Sequence, residues 1–71
     1  MIREGTEVKW EWGQGTATGT VTETYDHEVT KTLDGNEVTR KGESGDLALL
    51  IEQEDGSKAL KLSHEVSRKD D

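Results

Sequence analysis

Apolar and polar side chains alternate along the first third of the chain. Val8, Trp10 and Trp12 are separated by single charged residues, and threonine occupies every second position from residue 16 to residue 24. Successive side chains of a strand point to opposite faces, so this period of two predicts two half-buried strands. Threonine supports the second strand, because its branched Cβ favours extended backbone.

Gly19 lies in the middle of the threonine-rich strand. A glycine at such a position indicates a bulge, a sharp bend, or an aromatic ring that lies over the bare backbone. We expect the indole of Trp10 or Trp12 to cover it.

Residues 27–41 have the pattern of a β-hairpin. Asp34 and Gly35 favour the positive φ angles of a two-residue type I′ turn. The register that such a turn implies pairs Leu33 with Asn36, Lys31 with Val38, and Val29 with Arg40. This register places the apolar side chains of both strands on one face, so the turn chemistry and the hydrophobic pattern agree.

The second half of the chain contains a continuous apolar run at residues 47–51. A run of this length is typical of a central strand that is buried on both faces. Residues 54–57 predict another hairpin turn, and residues 58–62 predict its partner strand. We then predict one 3₁₀ turn with Ser63 as its cap, followed by a flexible tail over residues 67–71.

Short strands joined by turn signals predict an all-β fold, because no window shows apolar residues at helical spacing. The chain has 71 residues, which predicts a single domain over 1–71 with an ordered core from about 5 to 66. We predict a small SH3-like barrel of roughly five or six antiparallel strands, since closure removes exposed edges. The expected core consists of Val8, Trp10, Val21, Val29, Leu33, Val38, Leu49, Ile51, Leu60, Leu62 and Val66.

Composition and charge narrow the possible functions. The formal net charge is -7, which disfavours binding to nucleic acids and to acidic membranes. The chain has no cysteine, so disulfides and thiolate metal sites are excluded. The longest apolar run is too short to span a bilayer. We therefore expect a soluble, cytoplasmic, monomeric protein.

Four stretches, at residues 8–21, 37–40, 50–56 and 60–66, share an order and spacing with a known family. Together they resemble the hypervirulence-associated Tudor-domain family of small bacterial and fungal proteins, over about residues 5–66. The resemblance implies a Tudor-like barrel that often stands alone, and it implies no substrate. Tudor domains elsewhere bind methylated lysine or arginine in an aromatic cage. The resemblance therefore raises the question of whether the aromatic residues of this chain form such a cage.

The aromatic side chains of the chain are Trp10, Trp12 and Tyr25. Next to acidic residues they can hold a methylammonium group by cation–π attraction. The alternative is that they form one end of the core, since aromatic residues dominate small cores. Trp12 and Tyr25 are the first candidates for a binding surface, because they lie at strand ends beside loops.

Lys31, Arg40 and Lys41 form one local basic cluster. The hairpin register brings Lys31 and Arg40 to the same face, where they can contact an acidic partner or a phosphate. The alternative is that their aliphatic stems cover Val29 and Val38.

Motifs for catalysis and for metal or cofactor binding are absent from the sequence. The glycines of residues 13–19 precede a strand, whereas a phosphate-binding loop precedes a helix. The acidic residues at 52–55 flank a hairpin turn, which is normally in water and offers no pocket for acid–base chemistry. Residues 26–28 mix carboxylates with a histidine, but neighbouring strand residues face opposite sides. We therefore expect that the protein is not an enzyme and that it binds no cofactor and no metal.

The leading hypothesis is a non-enzymatic module that binds a protein segment through its barrel edge or its Trp12–Tyr25 end. The alternative is a nucleic-acid-associated small barrel that uses Lys31, Arg40 and Lys41 despite the net charge. In that case the affinity would fall steeply with salt concentration.

Overall fold

A computed structural model describes residues 2–70. Its strands and single 3₁₀ turn follow one another as β1 (Glu7–Trp12), β2 (Gly15–Tyr25), β3 (Glu28–Leu33), β4 (Asn36–Lys41), β5 (Ala48–Glu52), β6 (Lys58–Leu62), the turn η1 (Ser63–Glu65) and β7 (Ser67–Arg68). One antiparallel sheet has the order β6-β5-β2-β1-β7, and β3 pairs with β4 in a separate two-stranded sheet. The predicted all-β barrel is confirmed.

Strand β2 is shared by both halves of the larger sheet. Residues 15–20 pair with β1, and residues 20–25 pair with β5. The register shifts between Val21 and Glu23. The Thr22 hydroxyl, on the extra residue, donates a hydrogen bond of 3.1 Å to the Leu50 carbonyl. A bulge bends and twists a strand, so β2 curls the sheet toward a barrel.

Gly19 lies close to this bend, but for a different reason from the one expected. A Cβ built on Gly19 would lie 2.5 Å from Cγ2 of Ile51 and 2.8 Å from the carbonyl oxygen of Glu52. The closest approach comes from β5, and the prediction that an indole covers Gly19 is wrong. The missing side chain is what allows β5 to approach the curled part of β2.

Strand β5 is buried on both faces, as its apolar run predicts. Leu49 and Ile51 point into the main core, which they share with Val8, Trp10, Val21 and Val66. Leu50 points the other way and is also buried, opposite the buried Leu60 of β6. The hairpin β3–β4 contacts β6. The barrel core therefore lies on one side of β5, and the hairpin closes a second, smaller layer.

Most of the predicted core is buried, namely Val8, Trp10, Val21, Leu49, Ile51, Leu60 and Val66. Four predicted core residues are only half-buried: Val29, Leu33, Val38 and Leu62. The first three belong to the hairpin, which forms its own sheet and presents one face to the rest of the protein. The predicted hairpin register is confirmed at every pair, and both turn residues, Asp34 and Gly35, have positive φ.

The end of the chain departs from the prediction in two ways. The 3₁₀ turn is present, but its N-cap residue is Leu62, and Oδ1 of Asp46 accepts a 2.9 Å hydrogen bond from the His64 N–H. Ser63 provides no side-chain cap. The sequence predicts a flexible tail from residue 67, whereas the structure places Ser67 and Arg68 in β7, paired with β1. Asp71 lies outside the described residues.

Candidate functional site

A groove of about 500 Å³ follows the edge of β6. Its walls come from β1 and from the hairpin β3–β4, and both faces of β6 contribute to it. Leu60 lies on one face of β6, and Lys61 on the other. A surface that contacts both faces of a strand must run along the strand's edge. The groove therefore runs along β6, an edge strand of the larger sheet.

Trp12 forms the exposed rim of this groove. The residue is 72% exposed, and among residues 2–70 no other large hydrophobic residue is exposed. Trp10 also lines the groove, but it is buried and belongs to the core. The apolar wall opposite includes Leu33 and Val38 of the hairpin. An indole in water beside an apolar wall is typical of a binding surface.

The charged residues of the groove are mostly basic. Arg40, Lys58 and Lys61 line it, together with one acidic residue, Asp34. The whole chain carries a net charge of -7, so the groove differs in sign from the rest of the protein. Such a local field favours an acidic ligand over a basic one.

Two of these cations have acidic neighbours outside the groove. Nε of Arg40 lies 3.6 Å from Oε1 of Glu65, and Nζ of Lys58 lies 4.0 Å from Oε2 of Glu52. These pairs are partly exposed, so solvent screens them and they contribute little to stability. Both lysines of β6 thus remain available to a ligand at modest cost.

The main-chain N–H and C=O groups of successive β6 residues point alternately toward β5 and away from it. The Ser63 N–H donates to the Leu47 carbonyl and the Gln53 N–H to the Ser57 carbonyl, each at 2.8 Å. In an antiparallel ladder these hydrogen-bonded pairs recur at every second residue. Residues 59 and 61 therefore bond to β5, whereas the N–H and C=O groups of residues 58, 60 and 62 point away from it.

The Leu62 N–H confirms this alternation. It donates to Oε1 of Glu65 at 2.8 Å instead of joining the ladder. Glu65 therefore closes one end of the β6 edge, and Arg40 links the same carboxylate to the hairpin. Leu60, near the middle of the edge, receives no such side-chain partner among the described residues.

Tyr25 lies at the end of β2, away from the groove. Its hydroxyl donates a 2.7 Å hydrogen bond to Oε2 of Glu23. Nζ of Lys31 lies 5.2 Å from the centre of the Tyr25 ring, and the His27 ring meets it edge-on at 5.8 Å. The Tyr25 side chain, with a smaller contribution from Glu23, raises the pKa of the Lys31 ammonium. A cation of the protein itself thus occupies the ring that a methylammonium ligand would use.

The structure separates the predicted site residues into two places. Trp12 pairs with the first residue of β2, whereas Tyr25 is its last residue. Trp12 and Arg40 line the groove, while Lys31 contacts Tyr25. The Trp12–Tyr25 end that the sequence predicts is therefore not one surface, because the long strand β2 lies between the two rings.

The basic cluster is also divided. Lys31 and Arg40 share the inner face of the hairpin, as predicted. Lys41 lies on the outer face because it follows Arg40 in the strand. The three cations do not form one patch.

A comparison with known families bears on the whole barrel. The family model described as the TUDOR domain of hypervirulence associated proteins matches residues 5–66. The chain belongs to this family. No curated protein and no solved structure matches the chain significantly. The match covers every strand of this Tudor barrel except β7, and it includes the groove and its basic lining.

The sequence alone did not indicate the groove of this Tudor barrel. In the sequence, Lys58 and Lys61 belong to a predicted hairpin strand and carry no motif. Lysine on a short strand is a common feature of sheet edges, so a signal was present. Which strand becomes the edge depends on the sheet order, and that order is set by contacts between residues far apart in sequence.

Other polar clusters of the Tudor barrel are small. Hydrogen bonds from the His64 ring and the His64 backbone lower the pKa of Asp46, and the bond to His27 lowers the pKa of Asp26. Within residues 2–70, no three histidine or acidic side chains gather as metal ligands. The same residues contain no helix of the length and apolar character needed to cross a membrane.

Proposed function

We propose that this member of the Tudor family is a non-enzymatic module that binds a segment of a partner protein in the β6 groove. The observation that carries the proposal is the exposed Trp12 at the rim, beside the apolar wall of the hairpin. Tudor domains are generally protein-interaction modules, which supports this reading of the groove.

The physical gain of binding would come mainly from Trp12. A tryptophan offers a large apolar surface and an indole N–H, and such residues often dominate the binding energy of an interface. Trp10 and the sheet behind it hold the floor of the groove rigid. A ligand therefore gains contact area without first ordering the site.

The side chains of the groove support binding and not catalysis. Among residues 2–70, no serine, cysteine or histidine lines the groove, so the common pairing of a hydroxyl or thiol nucleophile with a histidine base is missing there. Its acidic lining residue, Asp34, belongs to the exposed hairpin turn.

A peptide selection followed by NMR tests the proposal. A library of random peptides of about ten residues, the length of a long strand, is selected for binding to the protein. The selected peptides are then titrated into ¹⁵N-labelled protein, where the indole N–H signals of Trp10 and Trp12 report on the groove. We expect a saturable shift of the Trp12 signal and loss of binding in Trp12→Ala.

The control replaces Tyr25 by Leu, which removes the other candidate ring and leaves the groove intact. We expect peptides to bind Tyr25→Leu as they bind the unchanged protein. If the selected peptides bind Trp12→Ala equally well, or if only nucleic acid shifts the spectrum in a parallel titration, the proposal is wrong.

A further inference from the structure

We infer that the groove binds its ligand as an added β-strand along β6, and that this ligand is an acidic segment with one apolar side chain. The inference rests on the proposed function, because it specifies how a protein segment would occupy the same groove. It concerns the backbone of β6 and the charge of the partner, neither of which the Tudor family match assigns.

The free backbone groups of β6 form the first part of the argument. The N–H and C=O groups of Lys58 and Leu60 point away from β5, by the alternation that the neighbouring hydrogen bonds fix. No strand of the described residues pairs with this side of β6. Main-chain groups of this kind bind an extended peptide by strand addition.

The position of Leu60 makes the pairing favourable. Leu60 is 3% exposed, so its main-chain groups lie where water has limited access. A sheltered N–H or C=O without a partner costs free energy, and a peptide that pairs with it removes that cost. The main-chain N–H of Leu62 already has a partner, because it donates to the Glu65 carboxylate. The stretch of the edge without a hydrogen-bond partner is therefore short, and the hairpin beside it must move aside for a peptide to reach it.

The basic lining defines the charge of the segment. Lys58 and Lys61 lie on opposite faces of β6, and Arg40 faces the groove from the hairpin. An added strand also presents side chains to both faces in alternation. Acidic residues on either face of the segment would therefore meet a cation, and an apolar residue between them would reach the wall beside Trp12.

The same charges argue against a second copy of this chain in the groove. Two copies joined through β6 would bring both sets of Lys58 and Lys61 into one seam, and like charges across a strand pair are destabilising. Lysines on an edge strand commonly prevent such self-association. An acidic segment would instead be attracted by these lysines. The β6 edge would therefore disfavour a second copy of this chain and favour an oppositely charged partner.

The test uses synthetic peptides of about ten residues, typical of a long strand. One peptide carries two adjacent Glu residues on each side of a central Thr-Leu-Thr unit, so that both faces of the strand present acidic side chains. A second peptide replaces each Glu by Lys, and a third and a fourth carry N-methyl groups at the two alternating sets of backbone positions of the acidic peptide. Binding to the full chain is measured by NMR and by fluorescence. We expect the acidic peptide to bind, with new protection of the Leu60 amide from hydrogen exchange.

The expected differences follow from the two kinds of contact. Replacing Glu by Lys should weaken binding by more than about tenfold, through the loss of charge complementarity. N-methylation of the peptide residues whose N–H groups point toward β6 should weaken binding by about tenfold, because it removes main-chain donors. N-methylation at the intervening positions should change the affinity little, which controls for the added bulk.

Substitutions in the protein provide matched controls. Lys58→Glu with Lys61→Glu should weaken the acidic peptide by more than about tenfold. Lys41→Glu makes the same kind of change on the outer face of the hairpin and should leave the affinity within about twofold, because solvent screens that distant charge. Dispersed NMR spectra of each variant establish that it is folded.

Three outcomes would overturn the inference. Selected peptides that shift Trp12 but tolerate every N-methyl group would refute strand addition and leave the proposed function intact. Equal binding of acidic and basic peptides would refute the charge argument alone. A concentration-dependent dimer, detected by light scattering and protected at Leu60, would show that a second copy occupies the edge. Absence of any peptide binding at Trp12 would contradict both this inference and the proposed function.

Discussion

Trp10 and Trp12 are two residues apart on the same face of β1, yet Trp10 is 6% exposed and Trp12 is 72% exposed. The alternation of a strand makes both indoles point the same way. The core ends between them, because Trp10 packs with Val8 and Ile51 while Trp12 lies beyond the covered part of the sheet. One strand thus provides a core residue and a surface residue of the same type.

The first prediction separates these two roles. Trp10→Ala should destabilise the protein by about 3–5 kcal/mol, which is a large part of the roughly 4–10 kcal/mol expected for a domain of this size. Trp12→Ala should change the free energy of unfolding by less than about 0.5 kcal/mol. Urea denaturation of both variants measures the difference. Similar losses in the two variants would contradict the assignment of Trp12 to the surface.

The second prediction concerns Gly42, which is buried at the end of β4. A Cβ built on it would collide with the Tyr25 carbonyl oxygen and lie 2.7 Å from the Ala48 amide nitrogen. Gly42→Ala should therefore destabilise the fold by about 3 kcal/mol. Gly15→Ala is the matched control, because a Cβ at Gly15 meets nothing within 4 Å. Thermal unfolding should show a much lower midpoint for the first variant only.

The hairpin β3–β4 is the part of the fold that the sequence predicts best. Asp34 and Gly35 determine both the turn and the register, and the apolar residues of the two strands agree with that register. All of these signals lie within fifteen residues of one another. Local turn chemistry is sufficient in such a case, so the pairing of Leu33 with Asn36 did not depend on the rest of the chain.

The candidate site could be predicted only in part, because it depends on contacts between distant residues. The sequence offers both Trp12 and Arg40 as candidates, and they share the groove only because the hairpin packs against β6. The separation of Tyr25 from Trp12 follows from the change of partner along β2. Gly42 gives no signal in the sequence beyond that of a loop glycine, since its role appears only once Ala48 is beside it.

The third prediction follows from the contact between Asp46 and His64. Hydrogen bonds from the His64 ring and backbone lower the pKa of Asp46 below its ordinary value of 3.8. The stabilisation is therefore complete above that value, and it is lost as the pH falls through the lower folded pKa. Asp46→Asn should lower the unfolding temperature at pH 7. The difference from the unchanged protein should shrink as the pH falls below about 4.

Thermal unfolding across this range checks the prediction. Glu37→Gln removes one charge from the exposed outer face of the hairpin and serves as the control. A difference between Asp46→Asn and the unchanged protein that persists undiminished at the acid end would show that the carboxylate charge is not what stabilises the turn.

The fourth prediction tests the end of the β6 edge. Glu65→Ala removes the acceptor of the Leu62 N–H, and loss of such a bond typically costs about 1 kcal/mol. Glu65→Gln keeps a carbonyl oxygen at the same place and should cost less. Urea denaturation measures both losses. Equal losses would mean that the charge beside Arg40 matters more than the hydrogen bond.

The fifth prediction concerns Lys31 above the Tyr25 ring. The Tyr25 side chain raises the pKa of Lys31 from its ordinary value of 10.5, so Tyr25→Leu should return the pKa toward that value. Tyr25→Phe keeps the ring and removes the hydroxyl. Because the hydrogen bond with Tyr25 is the largest cause, this variant should lose most of the rise as well. NMR titration of the lysine side chains measures the change, and an unaltered Lys31 pKa in Tyr25→Leu would contradict the contact.

The division into two sheets has a consequence for how the protein opens. Strand β5 lies between both layers, so we expect its amides to exchange with solvent only when the whole molecule unfolds. The hairpin shares no ladder with the larger sheet, so we expect it to open while the barrel core stays closed. Local openings of this kind need less free energy than global unfolding. We therefore expect the hairpin wall of the groove to open more readily than the barrel core, and its closure over a bound strand would slow the departure of the ligand.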